Sequence, residues 1–287
     1  MVDRGGISMR HYFQIPEFTS TMEERYLLVY WEQRGSGISS GKLKGNDFTL
    51  EKMSYDLDKL LHVIAHKYGL DKKLFLHGQS FGSLLSGKFV ASEKTNDHNL
   101  AGWITIGAMY SFQDYSQFLH RYITQFLETQ DHPGWDKLKA KANQLEYKES
   151  TLQTITDWNA LGDEMQLKAR ELGQANPRMV SKLPGLVTTS FFNIIAKFAN
   201  EINSNEKIGR EIFDISLREE LEEANVPALW LCGELDFVTP RNYGDSLLAF
   251  YGHPDKKHVV FPRGTHNTIA TNLSETIAEM TDFMESH

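Results

Sequence analysis

The chain has 287 residues, of which 40% are hydrophobic and 24% charged, an ordinary composition for a soluble globular protein. Its net charge is -8 with no clustered basic residues, which argues against a nucleic-acid partner. A single cysteine, Cys232, rules out disulfides within the chain, no apolar run reaches the ~18–20 residues of a membrane span, and no signal-peptide core opens the sequence, so the cytoplasm is the expected compartment.

In chain order, the first half alternates strand and helix signals. The compact apolar run Tyr26–Glu32 (YLLVYWE) predicts a buried strand. The Gly/Ser-rich stretch RGSGISSGKLKGND follows as a loop. Leu57, Leu60, Leu61 and Ile64 then recur at helical spacing, and Gly69 stands where the helix should stop. KLFLHG predicts a strand, FGSLLSGKFVASE a helix, and LAGWITIGA a further buried strand. Strands alternating with helices imply right-handed crossovers and a mostly parallel sheet flanked by helices, an α/β fold.

From about residue 112 to 222 the strand signal disappears and the spacing becomes helical. This predicts three segments: a first core segment over 1–111, a helical cap over 112–222, and a second core segment over 223–287. At the end of the cap, Ser216 and Glu219 have the spacing of a capping box, and Pro227 follows the acidic helix as a stop signal. The strand–helix rhythm then returns with PALWLCG, RNYGDSLLAFYG, KHVVFP and SETIAEMTDFME.

The chemistry concentrates in three places. Gly78 and Gly82 flank Ser80 as G-x-S-x-G between a predicted strand and a predicted helix, the context of a nucleophile elbow. Asp236 follows the strand PALWLC, and His266 follows the strand HVVFP, so acid and base come after the serine in the order such sites use. Glu234 is the fallback acid. His253 lies in a turn with Pro254, His258 stands at the wrong end of its strand, and His287 ends the chain. The N–H of Phe81, next after the serine, is the expected first oxyanion donor. His62 and His66 are four apart on a helix, a spacing that can bind zinc, but no H-E-x-x-H motif or third ligand accompanies them. They read as solvent-facing, His77 beside the elbow reads as packing, and no metal or cofactor is expected.

Four of these stretches carry a family resemblance. EQRGSGIS resembles the D-Q-R-G-x-G-x-S loop of proline iminopeptidases and their α/β-hydrolase relatives, with Glu32 in place of the family aspartate. GQSFGS resembles their elbow, GELDFVTP their acid loop and RGTHN their base loop, placing nucleophile, acid and base at Ser80, Asp236 and His266. The resemblance implies an α/β-hydrolase with a helical cap, a Ser-His-Asp triad working through an acyl-enzyme, and release of amino-terminal residues from small peptides. It further implies that cap carboxylates hold the substrate amine, and this cap offers Glu146, Glu149, Asp157, Asp163 and Glu164.

The alternatives are hydrolysis of small carboxylic esters or lactones, and a non-catalytic binding protein on the same scaffold. The family's H-G-G-P-G loop is matched here only by MVDRGGIS, so three earlier strands are expected to be missing and the 26–32 strand to lack its inner neighbour. The second oxyanion donor is nominally near Gly6 or Ile7. A small peptide or acyl substrate is the only partner expected; oligomeric state is not encoded in any readable pattern.

Overall fold

The structure, a computed structural model, describes residues 2–5, 15–34, 39, 49–69, 73–145, 147, 151–178 and 214–287. Six strands form one sheet: β1 (Val2–Gly5), β2 (Val29–Tyr30), β3 (Leu74–Gln79), β4 (Leu100–Ile106), β5 (Ala228–Gly233) and β6 (Lys256–Phe261). Their order is β2-β1-β3-β4-β5-β6, and every neighbouring pair is parallel. Parallel pairs need crossovers, and α1 (Pro16–Glu23), α2 (Leu50–Tyr68), α3 (Phe81–Val90) and α8 (Arg241–Phe250) supply them. The last helices are α9 (Thr268–Thr271) and α10 (Leu273–Ser286). This is the α/β-hydrolase architecture expected from the sequence.

Side chains alternate across the central strands, so each strand feeds two cores. Ile104, Ile106, Leu229 and Leu231 pack with Phe18 and Met22 of α1 and with Met280 and Phe283 of α10. Trp103, Ala228 and Trp230 belong to the opposite core, with Leu57 and Leu61 of α2 and Leu84 and Leu85 of α3. Trp103 and Trp230 meet edge to face with ring centroids 6.1 Å apart, a favoured aromatic geometry. The helix predicted from Leu57, Leu61 and Ile64 buries those three, begins at Thr49, whose hydroxyl accepts the Lys52 N–H at 3.3 Å, and ends at Gly69, with φ 103.

Between β4 and β5 every described regular element is helical: α4 (Phe112–Glu128), a short 3-10 turn (Pro133–Trp135), α5 (Asp136–Gln144), α6 (Leu152–Glu171) and α7 (Arg218–Glu222). Trp135, Trp158, Leu161 and Met165 are buried within this layer.

Three expectations need correction. The gap beside β2 does not exist: β1 lies between β2 and β3, pairing Val2 with both Val29 and Leu76, so the strand held to be missing from the middle of the sheet is supplied by the first residues. The strand expected over 26–32 shrinks to Val29–Tyr30, half-buried rather than buried, because its ladder to β1 spans two register pairs at the end of the sheet order. The capping box does not form. Leu217 is the N-cap of α7, and Ser216 is drawn into an antiparallel bridge with Ser111, with Leu217 N–H donating to Tyr110 O at 2.8 Å.

Candidate active site

The C-terminal edge of the sheet, where α/β folds place their ligands, gathers the elbow after β3 and the loops after β4, β5 and β6. Ser80 stands between β3 and α3 with φ 52 and ψ -122. A positive φ at a non-glycine residue costs of order 1–3 kcal/mol and persists where the surroundings enforce it. Here the elbow is enforced by close packing: a Cβ on Gly78 would lie 2.6 Å from Gly82 O. The Ser80 N–H donates to Ile106 O at 2.9 Å, and Ser83 Oγ donates back to Ser80 O at 2.5 Å while accepting the Met109 N–H at 2.6 Å. The turn is thereby tied to the exit of β4.

Asp236 is wholly buried in the loop after β5. Its Oδ1 accepts the N–H groups of Val238 (2.9 Å) and Thr239 (2.8 Å). Its Oδ2 accepts the Thr239 hydroxyl at 2.9 Å and faces His266 Nδ1 at 3.0 Å. Four donors or donor-capable groups thus fix the orientation of this carboxylate. The pairing fixes the imidazole as Nδ1–H, which leaves Nε2 as the basic nitrogen. That Nε2 is buried and has no hydrogen-bond partner among the described residues.

Burial pushes the His266 pKa down, but the charge and hydrogen bond of Asp236, and then the charge of Asp163, outweigh it and hold the pKa above the usual histidine value. The ring lies against Gly107, where a Cβ would be 3.0 Å from His266 Cε1, and Gly107 directly follows the residue that accepts the Ser80 N–H. No hydrogen bond joins Ser80 to Nε2; in sites of this type such bonds are often long until substrate is bound.

The acid and base loops are joined by Glu234 N–H to Phe261 O (2.9 Å) and Leu235 N–H to Gly264 O (2.7 Å). Glu234 turns its carboxylate to the Arg263 N–H at 2.9 Å, so it braces the base loop and does not face His266. His253 bonds to Asp255, and His258 is held by Asp245 at 3.0 Å, both away from the elbow.

Phe81 opens α3, so its N–H belongs to the first helical turn, whose amides the helix ladder does not use and where the helix dipole is positive. Gly6 lies outside the described residues. Arg34 of the EQRG stretch forms a two-pronged pair with Asp56 of α2, both contacts 2.6 Å, which anchors that loop to the core.

The helical layer reaches into the site from above. Tyr115 donates to Val238 O at 2.6 Å, and Tyr122 donates to Glu234 O, so both ends of the acid loop hang from α4. Gln166 of α6 accepts the His266 main-chain N–H at 2.9 Å. Asp163, one turn earlier, has its pKa raised by burial of its carboxyl, opposed by His266 and reinforced by Asp236. Of the other acids named from the sequence, Glu164 pairs with Lys141, Asp157 accepts from Gln153 at 2.8 Å, and Glu146 and Glu149 lie outside the described residues.

Ser83 and Thr239 stand inside the motifs that the sequence singles out, so their positions were readable though their roles were not. Gln166 carries no sequence signal at all.

The six-stranded parallel sheet with its serine elbow and its acid–base pair on adjacent loops defines an α/β-hydrolase. The sequence profile of the serine aminopeptidase S33 family matches residues 9–157, and the chain belongs to that family. A comparison with curated proteins finds no match.

Among solved structures, the protein VinJ is similar with 19% identity and a TM-score of 0.62, over 99% of this chain and 89% of that one. A proline iminopeptidase of Mycobacterium smegmatis shares 16% identity with a TM-score of 0.61, over 100% and 89%. An esterase of Exiguobacterium antarcticum shares 15% with a TM-score of 0.59, over 99% and 90%. These likenesses support the fold. No described helix is long and apolar enough to cross a membrane.

Proposed function

We propose that the protein is a serine hydrolase in which Ser80, His266 and Asp236 act as nucleophile, base and orienting acid. The observation that carries this reading is the 3.0 Å contact between His266 Nδ1 and buried Asp236 Oδ2, with Nε2 left without a partner among the described residues. Ser80 Oγ attacks the acyl carbon as His266 Nε2 takes its proton. The negative charge that develops on the carbonyl oxygen falls to the Phe81 N–H, and one such donor contributes about 2.7–4 kcal/mol to the transition state. His266 then returns the proton to the leaving group, and water repeats the sequence to free the acyl-enzyme. Asp236 orients the imidazole through Nδ1 and stabilises the imidazolium that forms.

Within that chemistry we assign the substrate as a small peptide with a free amino terminus. Asp163 supports this assignment. Among the described candidate acids it is the one that interacts electrostatically with both His266 and Asp236, and a second negative charge there suits a substrate ammonium group. An ester or lactone gains nothing from that charge.

A fluorophosphonate probe tests the nucleophile: labelling should occur in the native protein and vanish in Ser80→Ala. Turnover of aminoacyl-arylamides against short acyl esters tests the substrate. Equal rates with and without a free amine would leave the hydrolase standing and remove the aminopeptidase.

A further inference from the structure

Far from the elbow, three side chains converge with no part in the chemistry above. Asp58 and His62 are one turn apart on α2, and His98 comes from the turn that leads into β4. Two imidazole nitrogens close on a single carboxylate oxygen: Asp58 Oδ1 is 3.0 Å from His98 Nε2 and 3.5 Å from His62 Nε2. The three atoms all lie within 4.8 Å of one another. The two rings have centroids 4.6 Å apart, and His98 is backed by Phe89 at 5.7 Å.

We propose that Asp58, His62 and His98 bind a divalent cation of the zinc class. Zinc takes imidazole nitrogen and carboxylate oxygen at 2.0–2.2 Å in a tetrahedral shell, so neighbouring ligand atoms should be about 3.3 Å apart. The two measured edges bracket that value. Closing the third needs only rotation of His62, whose side chain is 48% exposed, whereas those of Asp58 and His98 are 6% and 1% exposed and set in place. The solvent side of His62 leaves the fourth position to water.

Asp58 keeps its second oxygen for Lys59 Nζ at 3.1 Å, which favours one-oxygen ligation and directs Oδ1 to the ion. The donor set, two nitrogens and one oxygen with no thiolate, suits zinc, cobalt or nickel and not calcium or magnesium. The sequence offered His62 with His66 as a pair lacking a third ligand; the fold replaces His66 by Asp58 and by His98, 36 residues beyond His62.

The site lies at the opposite end of the sheet from Ser80. In the β3–β4 register Leu74 pairs with Leu100 and Gln79 with Ile106, so His98 lies at the N-terminal edge of the sheet and Ser80 at the other, on the order of 20 Å away along the strands. An ion there would clamp α2 to the start of β4. A ligand that binds only the folded state raises stability by mass action.

The experiment uses untagged full-length protein, freed of metal by chelation and titrated with zinc by calorimetry and with cobalt by visible absorption. One equivalent of zinc, a four-coordinate cobalt spectrum and a zinc-dependent rise in Tm are expected. His62→Ala, at an exposed position, should weaken binding by about tenfold or more through loss of one of three ligands. It should also abolish the rise in Tm and leave hydrolysis unchanged. Asp58→Asn should act in the same direction, and His66→Ala should have no effect. Absence of binding at a few hundred micromolar zinc overturns the proposal. So does binding that survives His62→Ala, or binding lost in His66→Ala but kept in Asp58→Asn. None of these outcomes touches the serine hydrolase reading, which the probe-labelling experiment decides separately.

Discussion

Gln166 Oε1, on a helix inserted between β4 and β5, accepts the main-chain N–H of His266 at 2.9 Å. The residue proposed as base is therefore positioned from two sides, by Asp236 through its ring and by Gln166 through its backbone. Gln166 is only 5% exposed, so no water takes over its role cheaply.

Replacing Gln166 by Met keeps the length and removes the acceptor. The unpaired buried N–H should cost about 1–3 kcal/mol of stability. A base shifted by a fraction of an ångström should lower kcat by about ten- to a hundredfold. KM should change little, because Gln166 touches the base and not the substrate. Steady-state kinetics of Gln166→Met beside its thermal unfolding curve check this; an unchanged kcat would show that Asp236 alone positions the ring.

The pH profile carries the electrostatics of the site. His266 must be neutral to act as base, and its pKa is held above the usual value by Asp236 and Asp163 against the effect of burial. Activity should therefore fall as pH drops through that raised value, so the acid limb of kcat/KM is displaced upward from the ordinary histidine value. Asp163→Asn removes one of the two charges that raise it and should move the acid limb to lower pH. On amino-terminal substrates the same variant should raise KM as well. Profiles of wild type and Asp163→Asn on an arylamide and on an uncharged ester separate the two effects.

Gly162 tests how tightly the inserted helices sit on the acid loop. A Cβ at this position would fall 1.9 Å from the carbonyl oxygen of Phe237, a backbone atom next to Asp236. Gly162→Val must push α6 away from that loop. Overpacking of this kind typically costs 1–3 kcal/mol, and the same displacement should pull Gln166 from His266. Tm and kcat should fall together in Gly162→Val, while Leu167→Ala, at an exposed position on the same helix, should leave both near wild type. Loss of stability with full activity would show that the helix is not part of the positioning apparatus.

The probe-reactivity loss expected for Ser80→Ala completes the set. Subtilisin, which serves as the reference case for losing a single triad member, drops about 2 × 10⁶ in kcat when its nucleophile is removed.

Much of the fold was legible because local patterns and tertiary environment agree. The apolar runs at β3, β4 and β5 are strands buried on both faces, and a run with no polar face has few other places to go. The 26–32 run misled for a physical reason. Its aromatic and aliphatic residues look like a central strand, yet the ladder uses two of them at the end of the sheet order. The short polar stretch Val2–Gly5 gave no strand signal of its own, since four residues with one aliphatic side chain among them carry no periodicity to read. It becomes a strand because β3 on one side and β2 on the other supply its hydrogen-bond partners.

By itself the amino-acid order determined the fold class, the elbow around Ser80 and the loops that carry Asp236 and His266, because glycine spacing and strand ends are local properties of the chain. Only the tertiary structure decided which side chains meet. Gln166 reaches His266 across 100 residues, Tyr115 reaches Val238 across 123, and His98 reaches Asp58 across 40. Contacts at such separations depend on how helices and sheet dock in space, and hydrophobic periodicity records which face of an element is buried without recording what it is buried against.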